Sequence, residues 1–256
     1  MMKNVILILF SLFLVQCTAT KNNLTQTDKI TEIRLDTLTY FDASRNRKIP
    51  IAIYQPKSKE MRNGIPVIFN HGYGENKGGD YKVYSYLTEF LASKGYFVVS
   101  IQHELSTDDL LAMSGQFQIT RRPNWQRGVD NIYFVINKLK ADYPEFNYKK
   151  LSLIGHSNGG DMVVLFAHQH PALAEKIISM DNRRMEIPRV SQPKIFTLRS
   201  KDHPADPHVL PSDEDLKRYG ITVEYTNINH SDMDHDANDE ERRYMNAKIL
   251  EYLEKK

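Results

Sequence analysis

One stretch constrains this chain more than any other: Leu151-Ser152-Leu153-Ile154-Gly155-His156-Ser157-Asn158-Gly159-Gly160. The apolar run at 151–154 reads as a buried strand, and the apolar residues at 161–168 read as a helix. Between them lies a sharp turn with a serine at its apex. Gly155 and Gly159 flank that serine because such a turn packs backbone against backbone and leaves no room for Cβ atoms. The turn lifts the Ser157 hydroxyl clear of the sheet. It also aims the next amide, Asn158 N–H, at an incoming carbonyl oxygen.

The chain has 256 residues and a formal charge of +2, enough for one substantial core and close to neutral. Acidic and basic residues are interspersed, so nothing points to nucleic acid as a partner. The N-terminus differs from the rest. Lys3 precedes an apolar run at 5–15, broken only by Ser11, which is too short to span a bilayer and long enough for a signal-peptide core. The run leads to Cys17, the single cysteine. Residues 1–17 resemble a bacterial lipoprotein signal, in which that cysteine is lipidated. Gln16 departs from the small residue such signals prefer, and an ordinary secretory signal stays open. Residues 18–30 are polar and read as a tether, leaving 31–256 as the folded domain.

From residue 31 the pattern alternates. Strands are expected at 33–41 and 49–54, joined by a turn, then at 65–69, 96–101, 151–154, 176–180, 194–198 and 221–225. Helices are expected at 81–93, 127–140 (with Val129, Ile132, Tyr133, Ile136 and Leu139 on one face), 161–168, 213–219 and 239–253. A polar stretch at 103–125 separates the fourth strand from the second helix and is too short for a lid domain, so a fairly open cleft is expected. The fold class that follows is α/β, a mostly parallel sheet with helices on both faces and an antiparallel N-terminal hairpin. Ligands in such sheets bind beyond the carboxyl ends of the strands.

From about residue 33 onward the chain resembles the α/β-hydrolases, close in style to the dienelactone-hydrolase and cutinase-like serine esterases. Three blocks carry the resemblance: His71-Gly72-Tyr73-Gly74 after the third strand, the turn around Ser157, and the late strand ends bearing Asp202 and His230. It implies an exported serine hydrolase that cleaves carboxylic esters, small or polymer-borne, with no metal or organic cofactor. In that fold the triad runs serine, acid, histidine along the chain. His203, His208, His230 and His235 follow Ser157 and a strand; His230, just before the last helix, is favoured, with His235 its rival. Asp202 is favoured as the acid, with Asp206 and Asp181 as alternatives. The resemblance assigns the second oxyanion donor to the Tyr73 amide, beside that of Asn158, with the Tyr73 ring next to the substrate.

Other readings stay open. The same residues could serve a thioesterase or amidase, and an inactive hydrolase fold could act as a lipid-anchored binding module. The ligand-rich segment 230–236 matches no metal signature and reads as a solvated acidic loop. Arg183 and Arg184 could clamp an anionic group or pair with carboxylates, and Arg121, Arg122 and Trp125 could form a cleft wall or a surface loop anchored by the tryptophan.

Overall fold

A computed structural model describes residues 31–255. The expectations for residues 1–17 and 18–30 lie outside the described residues.

The chain opens with a hairpin of two ten-residue strands, β1 (Ile33–Asp42) and β2 (Arg47–Pro56). Its turn is shaped by Asp42, whose carboxylate accepts from the Ser44 amide at 3.0 Å and the Ser44 hydroxyl at 2.6 Å, while Asn46 takes a left-handed conformation. Six shorter strands follow: β3 (Pro66–Asn70), β4 (Phe97–Ile101), β5 (Ser152–His156), β6 (Lys176–Met180), β7 (Lys194–Arg199) and β8 (Thr222–Tyr225). They join in the order β1-β2-β4-β3-β5-β6-β7-β8. Among the described residues only the β1–β2 and β2–β4 pairings are antiparallel, and the rest are parallel.

The central strands are buried on both faces because helices cover both. Ile68, Val99 and Leu153 point toward α3 (Arg122–Asp142) and α4 (Ser157–Gln169). Val67, Phe69, Val98 and Ile154 point the other way, toward α1 (Ser85–Ser93) and α6 (Asp239–Glu254). The alternation follows from the two-residue period of a strand. A short helix, α5 (Asp213–Tyr219), starts at a Ser212 cap and ends at Gly220 in the left-handed region.

Expectations around α3 need correction. The helix begins at Arg122 rather than 127, with Pro123 in its first turn, and a four-residue helix, α2 (Phe117–Thr120), precedes it. Proline suits a helix start because its missing N–H would be unpaired there anyway. Trp125 is a core residue with no exposed surface: it anchors its segment rather than walling a cleft, and does so from a helix rather than a surface loop. Tyr133, expected on the inner face, is 43% exposed.

Strand order also positions the site. β4 and β5 lie on opposite sides of β3, so the connection reverses there and leaves a crevice at the carboxyl edge. Because β3 and β5 are neighbours, with Asn70 opposite Gly155, the loop leaving β3 must lie beside the turn leaving β5.

Candidate active site

Ser157 opens α4 directly after β5 with φ of 52°, a conformation that costs energy for a residue with a side chain. The surrounding glycines permit it. A Cβ at Gly155 would run into the Gly159 carbonyl, and one at Gly159 would strike the Asn70 and His71 carbonyls. The strained turn is thus held between its own helix and the end of β3.

His230 lies in the loop between β8 and α6, and its Nε2 is 2.9 Å from Ser157 Oγ. Its Nδ1 lies 2.6 Å from Asp181 Oδ2. Asp181, directly after β6, is fully buried and has a φ of 58°. Burial opposes its charge, but the hydrogen bond from His230, the Arg199 guanidinium and the Ser200 hydroxyl and amide outweigh it and hold the pKa down at about 2. An ionised carboxylate can only accept, so Nδ1 of His230 carries the proton and Nε2 is left to accept from Ser157.

The structure does not bring Asp202, the favoured acid, to the imidazole. Its Oδ1 accepts from the His230 backbone N–H at 2.8 Å and its Oδ2 lies 3.0 Å from His203 Nδ1. Asp181, weighed as an alternative, makes the ring contact instead, because β6 ends level with the serine turn and projects its next residue under His230. Asp206 pairs with Arg184. The His203 ring lies tilted beside that of His230 with centroids 5.0 Å apart, while His235 is held between Asp234 and Asp236, 3.4 Å from each. The ligand atoms of Asp234, His235 and Asp236 come within 4.8 Å of one another, and the last two residues are exposed.

Gly72 N–H donates to Tyr84 Oη at 3.1 Å, which lies 2.7 Å from His156 Nδ1. This ties the loop after β3 to the strand end that carries Ser157. His156 is held neutral, its pKa pushed down to about 3 by burial and by His230. Its Nδ1 shares a hydrogen bond with the Tyr84 hydroxyl. With Gly72 N–H occupied, the next amide along the loop belongs to Tyr73, a residue that lines the serine pocket. The Tyr73 hydroxyl accepts from Leu111 N–H at 3.0 Å, which pins the side chain to the 103–125 segment. Asn158 N–H, at the start of α4, belongs to the helix-end amides that lack an intrahelical acceptor.

Below the serine lies a buried polar network that sequence reading missed. Trp125 Nε1–H donates to Asn158 Oδ1 at 2.9 Å, and Asn158 Nδ2 donates to Asn124 Oδ1 at 2.8 Å and Glu104 Oε1 at 3.1 Å. Tyr84, Glu104, Arg199 and Ser200 carry no motif that would have marked them. His156 at least stood within the turn. The pocket over Ser157 has a volume of about 270 Å³ and is lined by Tyr73, Val83, Tyr84, His156, Ser231 and Asp234 among others.

Arg184 pairs with Asp206, and its guanidinium and that of Arg121 each lie 4.4 Å from the Phe117 ring centroid. His168 bonds the Glu186 carbonyl and His170 stacks on Tyr133. None of these groups touches Ser157 or His230.

No family model matches the chain, and no curated protein matches it in sequence. Solved structures do match in shape. A structure from work on two fungal esterases of Rhizomucor miehei has a TM-score of 0.66 at 14% identity, covering 90% of this chain and 84% of the other. A putative dienelactone hydrolase from Klebsiella pneumoniae gives 0.61 at 13% identity, covering 87% and 100%. An α/β serine hydrolase without lid from Xanthomonas campestris gives 0.56 at 15% identity, covering 87% and 97%. The chain has the α/β-hydrolase fold, with the expected mostly parallel sheet and N-terminal hairpin.

Proposed function

We propose that this chain is an exported serine hydrolase that cleaves carboxylic esters through an acyl-enzyme on Ser157. The observation that carries the reading is the relay Ser157 Oγ, His230 Nε2, His230 Nδ1 and Asp181 Oδ2, joined by contacts of 2.9 and 2.6 Å.

In the first half-reaction Ser157 Oγ attacks the acyl carbon while its proton passes to His230 Nε2. Asp181 stays ionised, keeps Nδ1–H in place and stabilises the imidazolium. The Tyr73 and Asn158 amides hold the oxyanion, helped by the positive end of α4. Collapse of the tetrahedral intermediate breaks the ester C–O bond, and the leaving alkoxide takes the proton from Nε2. Water then attacks the acyl-enzyme, giving its proton to His230, and a second collapse releases the carboxylic acid and restores Ser157.

The substrate is a small ester, or one projecting from a polymer, that fits a pocket of about 270 Å³. Residues 1–17 supply export, with lipid attachment at Cys17 as the membrane tether.

A fluorophosphonate probe tests the chemistry without knowledge of the substrate. The wild type should be labelled at Ser157 and hydrolyse a small activated ester, and Ser157→Ala should lose both. Hydrolysis that survives Ser157→Ala would overturn the reading.

A further inference from the structure

Asp181 faces two cationic or potentially cationic groups. Its Oδ2 receives His230 Nδ1–H at 2.6 Å and the Ser200 hydroxyl at 2.7 Å. Its Oδ1 receives Ser200 N–H at 3.0 Å and has Arg199 NH2 3.0 Å away. The Arg199 and Asp181 side chains are 3% and 0% exposed, so this ion pair is buried directly behind the imidazole. The arginine is anchored from the other side, where NH1 donates to the Asn182 carbonyl at 2.7 Å. Its NH2 lies out of line for a hydrogen bond with the carboxylate. Ser200 therefore orients Asp181 through two aligned bonds, and what Arg199 adds is charge.

We propose that Arg199 is a positioning residue acting through Asp181: its buried positive charge partly neutralises the carboxylate and so sets the pH below which His230 no longer accepts the Ser157 proton. The inference rests on the acyl-transfer reading of Ser157, His230 and Asp181. Without Arg199 the resting pair of neutral His230 and Asp181 carries one negative charge, and a proton on the imidazole neutralises it. With Arg199 the resting group is already neutral, and the same proton leaves an unbalanced positive charge in a buried place. Protonation is therefore disfavoured, and the base stays free to more acidic pH.

Other groups also face the ring. His156 comes from β5, with centroids 4.8 Å apart, and it stays neutral across the relevant range. His203 comes from the loop after β7, with centroids 5.0 Å apart and its Nδ1 beside Asp202. Asp234 and His235 share the pocket from the same loop as His230, and Asp80 and Tyr84 line its far side. A change at Arg199 alters none of these, so their contribution cancels between variants.

The experiment follows the rate of fluorophosphonate labelling of Ser157 against pH, which reads the serine–histidine pair without any choice of substrate. Arg199→Met should move the midpoint of the acid limb up by about one pH unit, a shift read relative to the variant's own plateau rate at high pH. Arg199→Lys, which keeps the charge, should bring the limb back toward wild type. Arg199→Gln, neutral and still able to donate to the Asn182 carbonyl, should behave like Arg199→Met and serves if the methionine variant does not fold. A limb unchanged in the neutral variants, with only plateau rate or stability lost, would show a purely structural arginine and overturn the proposal. If wild-type Ser157 is not labelled at all, it is the acyl-transfer reading that fails.

Discussion

Nδ1 of His230 lies 2.6 Å from Oδ2 of Asp181, while the backbone N–H of the same histidine donates to Asp202 at 2.8 Å. Two carboxylates thus serve one residue in different ways. Asp181 addresses the ring, is buried, and is saturated with donors. Asp202 fixes the backbone of the loop and is partly open to water, its side chain 34% exposed. Only the first can select the imidazole tautomer and answer the charge that forms on it.

Asp181→Asn should lower the turnover of an activated ester by about 10⁴, since an amide in that place supports the wrong tautomer. Asp202→Asn should cost less than about tenfold, because its amide oxygen can still accept the His230 N–H. Steady-state rates of the two variants, with circular dichroism to confirm folding, decide the matter. The reverse ranking would put the acid after β7.

Much of this was legible because the apolar strands and the Gly155–Gly159 turn are local signals. The hairpin, the strand–helix alternation and the placing of Ser157 and His230 beyond strand ends all follow from periodicity and turn chemistry. The acid was not legible. Asp181 and Asp202 both lie shortly after parallel strands, and both reach His230. Which one meets the ring depends on side-chain directions that spacing does not encode. The start of α3 was missed because Pro123 and two arginines look like loop until proline is read as a first-turn residue. Tyr84 and Glu104 are ordinary residues made important only by the folded neighbourhood.

Gly159→Ala should be among the most damaging single-methyl changes. Its Cβ would meet two backbone carbonyls at the end of β3, which cannot swing aside as a side chain can. A loss of more than about 3 kcal/mol, or failure to fold, is expected in urea denaturation. Gly64→Ala, where a Cβ meets nothing within 4 Å but φ is 76°, should cost about 1 kcal/mol. Comparable losses at both sites would argue against a tightly packed turn.

Trp125→Phe keeps an aromatic ring in the core but removes the donor to Asn158 Oδ1. A buried acceptor left without its partner costs about 1–3 kcal/mol. Asn158 also carries an amide proposed to hold the oxyanion, and on that reading kcat should fall several-fold while KM changes little. A KM effect at constant kcat would mean that the tryptophan shapes the pocket instead.

Cys17→Ala tests the leader. Expressed in a bacterium, the wild type should partition into detergent and the variant should not. Equal partition of both into the aqueous phase would remove the lipid anchor while leaving the hydrolase reading untouched.

The depressed pKa of Asp181 has a consequence for stability. Its folded value of about 2 lies below the ordinary value of about 3.9 for an unfolded aspartate, so the unfolded state binds the proton more readily. The ion pair and hydrogen bonds therefore stabilise the fold fully above pH of about 4, and that contribution drains away as pH falls toward 2. Asp181→Asn has no such proton to bind. Its melting temperature should lie below that of the wild type at pH 6, and the gap should close between pH 4 and 2 as the wild-type carboxylate is protonated. Scanning calorimetry of both proteins across that window measures the closure directly. A gap that stays constant to pH 2 would mean that Asp181 contributes through packing alone, and its charge would then lose its place in the relay as well.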